Sequence, residues 1–362
     1  MKLFYITRVD IPSNSAQSIQ IYAMCKVFAQ ENIDFKLISP KNYKNENLQS
    51  EFRWDKVDIV FKRFKYLEFS VRSFLKVLKE KPTNIFTRDV FIAFILSFFN
   101  IKVVYEAHKE PRSKIAHILL NYLKNKNNFQ LVVISNALKN FYIKDYNFQK
   151  EKILVCHDGV FLESYEKYRN ISKDKLRGEL NLPKDKFIVM HTGSLYKGKD
   201  AELFKVIIDN FPNILFVQVG GKEKEIQKYK DFYKKNNNII FLPHQSHENI
   251  IKYQMSADVL FYALTKSNNL WQYTSPLKLF EYMATEIPIL GSNIGSVGEV
   301  LNSENAIVFN PEDSNSIIKG MTWILNNRKE AKIRALNALK EVRYKYTWQK
   351  RVRKILSFLS KI

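Results

Sequence analysis

The sequence predicts an α/β protein made of two doubly wound, Rossmann-like domains in tandem. Three observations carry this expectation. Short apolar runs alternate with stretches of helical spacing along nearly the whole chain, the pattern of parallel sheets with helices on both faces. A polar stretch at residues 163–186 interrupts the alternation, which then restarts. The 362 residues also exceed the roughly 250–300 at which single cores stop growing. The expected division is an N-terminal Rossmann-like domain over 1–165, a C-terminal Rossmann-like domain over 166–345, and a last helix over 346–362 that crosses back to the first domain.

In the first half, residues 3–6 read as a strand. Residues 18–30 read as a helix, with Ile19, Tyr22, Ala23 and Val27 at helical spacing. Residues 35–38, 57–61, 84–86, 102–105, 130–134 and 153–156 follow as short apolar strands. In the second half, 187–191, 214–219, 239–242, 259–262 and 288–290 are the expected strands. Near the end, Val352, Ile355, Leu356 and Leu359 make one face of an amphipathic helix. In such sheets ligands bind beyond the carboxyl ends of the strands, and with two domains the natural site is a cleft between them.

Composition narrows the function classes. The formal net charge is +22, which points to an anionic partner: phosphorylated substrate, acidic lipid or nucleic acid. Up to residue 170 there are 28 basic against 17 acidic residues, and 30 against 19 after it. An excess spread so evenly argues against a dedicated nucleic-acid face. Cys25 and Cys156 make neither a metal spacing nor a disulfide framework, as suits a reducing cytosol. Residues 1–8 read as a buried strand, not a signal peptide. The longest apolar run, residues 90–99, is half of the about 20 residues needed to span a bilayer.

The most informative stretch is Thr274-Ser275-Pro276-Leu277-Lys278-Leu279-Phe280-Glu281. Ser275 is a suitable N-cap and Pro276 suits the first helical position. A capping box would then carry Glu or Gln at the third position, yet Lys278 stands there. A cation in the first turn opposes the helix dipole at a cost of about 0.3–1 kcal/mol. The cost makes sense if an anion sits at the helix start. Glu281, one turn on, is placed to accept two hydrogen bonds from a vicinal diol such as a ribose. Phosphate plus ribose means a nucleotide. The plainer alternative is an ordinary amphipathic helix with a Lys–Glu pair.

Other segments fit around this helix. His191-Thr192-Gly193-Ser194-Leu195-Tyr196-Lys197 follows the first strand of the second half. Gly193 permits a tight turn and Lys197 can neutralise a phosphate. Tyr105-Glu106-Ala107-His108 ends a strand, so that His108 can bond a substrate hydroxyl or move a proton. The polar loop at residues 10–17, with Asn14 and Ser15, can present N–H groups to a sugar or phosphate. Basic and aromatic residues interleave over residues 62–81, which suits an anionic membrane surface, single-stranded nucleic acid, or a solvated helix face with a buried aromatic side. No Asp-x-Asp, metal cluster or Gly-Lys-Ser/Thr motif is present. Lysines and a helix dipole are therefore expected to act on the phosphates without a metal.

Taken together, these motifs resemble the retaining family-4 (group 1) glycosyltransferases of the GT-B fold. The resemblance rests on Phe86-Thr87-Arg88-Asp89, Val104-Tyr105-Glu106-Ala107-His108, Val132-Val133-Ile134-Ser135-Asn136, Asp158-Gly159-Val160, the Gly193 loop, Val219-Gly220-Gly221, residues 275–284, and Thr347-Trp348 with Arg351. It implies two domains facing each other across a cleft. It also implies donor binding by Gly193, Ser194, Thr274, Ser275, Pro276, Leu277, Lys278 and Glu281. His108, Lys197 and Lys278 would be catalytic, and Asn14, Ser15, Arg88 and Tyr273 would meet sugar or acceptor. Tyr273 stands where the family has a first Glu, and Ser194 where it often has Arg. The implied substrates are a nucleotide-diphosphate sugar and a glycan or lipid-linked acceptor, with no cofactor. The expected location is cytoplasmic, peripheral on the inner face of the plasma membrane. A same-fold epimerase, or a non-catalytic basic subunit binding membrane or nucleic acid, stays open at this point.

Overall fold

The structure is a computed structural model that describes residues 1–13, 15–41, 50–194 and 203–360. It divides into two compact units. The first is Met1–Asp158 with Trp348–Ile362, and the second is Gly159–Thr347.

The first unit holds β1 (Lys2–Ile6), β2 (Asp34–Pro40), β3 (Trp54–Val57), β4 (Asn84–Thr87), β5 (Lys102–Ala107), β6 (Phe129–Val133) and β7 (Ile153–Val155). They form one sheet in the order β3-β2-β1-β4-β5-β6-β7, with neighbouring strands parallel. The central strands are buried on both faces, so they read as mostly apolar runs without alternation, with Asn84, Thr87 and Gln130 as buried polar exceptions. Between them run α1 (Ala16–Gln30), α2 (Lys65–Glu80), α3 (Val90–Leu96), α4 (Lys114–Leu123) and α5 (Asn136–Tyr146). Side-chain caps start four of these helices: Ser15, Asp89, Ser113 and Ser135. The chain winds outward from β1 to β3, then returns to β4 on the other side of β1. That reversal puts a switch point at the carboxyl ends of β1 and β4.

The second unit holds α6 (Glu163–Glu166), α7 (Lys173–Glu179), β8 (Phe187–Thr192), α8 (Phe204–Asn210), β9 (Ile214–Val219), α9 (Glu223–Phe232), β10 (Ile239–Leu242), α10 (His247–Ser256), β11 (Val259–Tyr262), α11 (Leu277–Met283), β12 (Ile289–Ser292), β13 (Ile307–Phe309), α12 (Ser314–Asn326) and α13 (Arg328–Lys345). The sheet order is β10-β9-β8-β11-β12-β13, again parallel. Its switch point lies at the carboxyl ends of β8 and β11. The last helix, α14 (Trp348–Leu359), packs on α1 in the first unit, burying Trp348, Val352, Ile355 and Leu359. Among the described residues no helix is long and apolar enough to cross a membrane.

Three features differ from expectation. The strand expected at 57–61 is Trp54–Val57. Its partner β2 ends at Pro40, opposite Val57, and the N–H groups of Val60 and Phe61 bond the Glu68 carboxylate instead. The first segment of chain closes at Asp158, not 165, because Tyr165 is buried in the second unit's core and bonds Gln254 there. The polar stretch at 163–186 contains the short helices α6 and α7, and β13 was not expected at all. At three residues it is too short to show a period.

Candidate active site

The expected site residues fall into two clusters, one in each unit. In the second unit β8 ends at Thr192, and Gly193 follows with φ +124°. Gly220, after β9, has φ +107°. Both lie in the region that favours glycine. A Cβ on Gly220 would sit 2.9 Å from the Gly193 carbonyl oxygen, and one on Gly193 would sit 3.1 Å from Lys278 Nζ. The two loops therefore pack backbone on backbone, with the Lys278 ammonium directly over Gly193.

A buried chain of hydrogen bonds holds that ammonium. Gln218 Nε2 donates to the carbonyls of Gly193 at 2.7 Å and Gly220 at 3.2 Å. Its Oε1 must then face His191, and accepts from Nδ1–H at 2.5 Å. The network thus assigns the tautomer and leaves a lone pair on Nε2, which accepts from Lys278 Nζ at 2.7 Å. His191 and Gln218 are fully buried. They are cross-strand partners in the β8–β9 register.

Glu281 follows one turn later on α11. Gln254 Nε2 donates to its Oε2 at 3.2 Å and to Thr192 Oγ1 at 3.1 Å, while Tyr165 holds the Gln254 carbonyl at 3.0 Å. His247 Nε2 lies 3.5 Å from Glu281 Oε1. The hydrogen bond to Glu281 pushes the His247 imidazole above its ordinary value, against partial desolvation. The Glu281 side chain keeps 18% of its surface open. It is a carboxylate braced from behind and accessible in front.

The start of α11 differs by one residue from expectation. Pro276, not Ser275, is the N-cap: its ψ of 125° is extended, and its carbonyl accepts from Leu279 N–H at 3.0 Å. Proline brings no capping side chain, and Lys278 becomes the second helical residue. Ser275 is buried just outside the helix, and Leu277 is half-buried. The Thr274 carbonyl accepts from Ser296 Oγ at 2.5 Å, and Tyr273 N–H bonds the Leu270 carbonyl. Ser194 is half-buried beside Gly193. Lys197 and Asn14 lie outside the described residues.

In the first unit, His108 directly follows β5, at the carboxyl edge of the sheet. Its Nε2 lies 3.3 Å from Glu106 Oε2. Arg88 Nε donates to the same oxygen at 2.6 Å, and Arg351 of α14 bonds Glu106 Oε1. Tyr5 OH reaches Oε2 at 3.4 Å. Burial would raise the Glu106 pKa, but Arg88 and Arg351 hold the carboxyl well below the usual range. Burial, with the Arg88 charge, pushes His108 down to about 4. At neutral pH it is therefore an uncharged hydrogen-bonding group, a poor proton acceptor but a good partner for a hydroxyl. Arg88 is nine-tenths buried, and its Nη1 and Nη2 have no hydrogen-bond partner among the described residues. Ser15 spends its hydroxyl capping α1, accepting from Ser18 N–H at 3.2 Å.

Sequence reasoning singled out Lys278 and Glu281 but missed His191, Gln218, Gln254 and His247, which position them. A signal was present for two of these. His191 and Gln218 are polar residues inside runs that otherwise read as fully buried parallel strands.

Comparison with known proteins bears on this geometry. A family model described as Glycosyl transferases group 1 matches residues 172–341, which include the second-unit cluster. An uncharacterized glycosyltransferase of Methanocaldococcus jannaschii is 22% identical over 245 residues, 65% of this chain and 60% of that protein. The UDP-Gal:alpha-D-GlcNAc-diphosphoundecaprenol alpha-1,3-galactosyltransferase of Escherichia coli is 27% identical over 263 residues, 69% of this chain and 65% of that one. The chain spans about three fifths of the length of these curated relatives. Among solved structures, Anabaena HepE in complex with UDP superposes with a TM-score of 0.83 at 15% identity, covering all of both chains. That likeness shows the GT-B fold.

Proposed function

We propose that this chain is a retaining glycosyltransferase that takes a sugar from a nucleotide-diphosphate donor without a metal ion. The observation that carries the reading is the Lys278 ammonium, fixed over the Gly193 backbone by buried His191 and Gln218, with the braced Glu281 carboxylate one turn away. That spacing suits a diphosphate next to a ribose. The match of residues 172–341 to the group 1 family and the UDP bound by HepE support it.

In this reading the bond from the anomeric carbon to the diphosphate oxygen breaks as the acceptor oxygen bonds the same face of the sugar. The acceptor proton passes to the departing diphosphate, so no strong protein base is required. Lys278 and the first turn of α11 stabilise the leaving charge. Neutral His108 bonds a sugar hydroxyl, and Arg88 serves the sugar or acceptor. The acceptor is a growing surface polysaccharide or a lipid-linked glycan at the inner face of a membrane. The E. coli relative named for a diphosphoundecaprenol acceptor supports that class.

Calorimetric titration of UDP, UDP-glucose and uridine tests the donor site. Lys278→Ala should weaken the diphosphates far more than uridine, and Glu281→Ala should weaken all three. Unchanged affinities in both variants refute the site, in which case GDP, ADP and dTDP on the wild type test the choice of base. Turnover should survive EDTA. A strict requirement for added magnesium or manganese would overturn the metal-independent step.

A further inference from the structure

Three helices of the first unit carry apolar stripes on their outer sides. On α2 the buried residues are Phe69, Ser70, Ser73 and Val77. Leu67, Val71, Leu75 and Leu78 recur at helical spacing on the other side and are 40–64% exposed. On α3 and the residues after it, Phe91, Ile95 and Phe98 repeat the pattern. On α4, Ile115, Ile118 and Tyr122 are exposed while Leu120 and Leu123 are buried.

The stripes form one surface. Phe74 and Phe99 lie 5.3 Å apart between ring centroids, as do Phe94 and Tyr122. Arg8 stacks over both Tyr66 and Phe91. Soluble monomers rarely expose a contiguous apolar face of this extent. In the second unit fewer large apolar residues are exposed among those described: Phe232, Leu270, Ile333, Leu336 and Tyr344.

The charge around this face has one sign. Residues 61–126 contain fourteen Lys and Arg against five Asp and Glu. Of the acids, Glu68 is engaged by Arg72 and backbone N–H groups, Glu80 by Lys36, Asp89 by Arg8, and Glu106 by Arg88. Among the cations, Arg63, Lys65, Lys79, Arg112 and Lys114 are exposed, and Lys126 Nζ sits 4.7 Å over the Phe98 ring at the rim.

We propose that the α2–α3–α4 face docks on an anionic lipid bilayer. Leu67, Leu75 and Ile118 enter the acyl boundary, and the surrounding Lys and Arg meet the headgroups. A second copy of the chain is a poor occupant, because a symmetric pairing would set two cationic rims against each other. The α2 stripe is aliphatic throughout, Leu67, Val71, Leu75 and Leu78, and offers nucleic-acid bases nothing to stack on. This surface concerns the acceptor side of the transferase reading but stands without it.

Sedimentation with vesicles of phosphatidylglycerol and phosphatidylcholine tests the proposal. The wild type should pellet at low salt, release as salt rises, and stay in solution with phosphatidylcholine alone. Leu67→Ser/Leu75→Ser/Ile118→Ser should lower the partition coefficient at least tenfold. So should Lys79→Glu/Lys114→Glu/Lys126→Glu, which leaves the apolar stripes intact. Both variants should keep the wild-type circular dichroism and UDP affinity, so the donor site is read separately. Three results would overturn the proposal: wild type in the supernatant with anionic vesicles, pelleting unaffected by both variants, or a dimer in sedimentation velocity that the serine variant dissolves.

Discussion

Replacing His108 with Gln should change how stability depends on pH. Burial, with Arg88 nearby, lowers this imidazole from 6.5 to about 4. A histidine depressed in the folded state contributes its full stability above the unfolded value. That contribution is lost as pH falls from 6.5 through 4, because the unfolded chain takes up the proton first. The shift corresponds to about 3 kcal/mol in total, and about 2.5 kcal/mol of it is gone by about pH 4.5. His157 is lowered to about 4 by burial with Arg351 and acts in the same direction. Asp158, raised to about 7 by burial, acts in the opposite direction, gaining stability as pH falls from 7. The wild-type profile alone is therefore a poor witness, and the difference between wild type and His108→Gln isolates one group. Urea unfolding, followed by Trp54 and Trp348 with Trp271 and Trp323 changed to Phe, reads the first unit. The stability gap between the two proteins should move by about 2.5 kcal/mol, in favour of Gln, from about pH 7 to pH 4.5. Parallel curves, or an NMR titration of His108 near its ordinary value, would refute the reasoning.

Three further outcomes follow from the geometry. His191→Leu removes the acceptor that fixes Lys278 and should raise KM for the sugar donor about tenfold, with uridine affinity unchanged in calorimetry. Gly220→Ala puts a Cβ 2.9 Å from the Gly193 carbonyl at a φ of +107°, and should cost about 1–3 kcal/mol in thermal unfolding. Arg351→Met strips the buried Glu106 of one of its two guanidinium partners and should destabilise the first unit by about 3–5 kcal/mol in urea.

The sheets were legible in the sequence because parallel strands buried on both faces are apolar runs with little else to mean. The run at 214–219 matches β9 residue for residue. Reading failed where a strand ends for lack of a partner, as at Val57, or is too short for a pattern, as at β13. At the site, Lys278 stood out because a first-turn cation breaks a local rule. The residues that aim it break a rule too, but it shows only when strand and burial are read together. Gln254 and His247 gave no signal, since polar residues on a helix are ordinary until tertiary structure buries one of them. The apolar face of α2, α3 and α4 was half visible. Residues 62–81 gave the basic and aromatic mixture, whereas the outward turn of the stripes on α3 and α4 is a property of packing.

The closing helix has a consequence for synthesis. Glu106 lies 245 residues before Arg351, and all of the second unit is made in between. Domains usually fold from the N-terminus as they leave the ribosome. Here residues 159–347 can complete their own core while the first unit still lacks the helix that packs on α1. The half that begins first is finished last. In that interval Glu106 has Arg88 but not Arg351, and the α1 surface on which α14 later packs is open. A ribosome paused before residues 348–359 emerge would hold one folded unit and one waiting for α14.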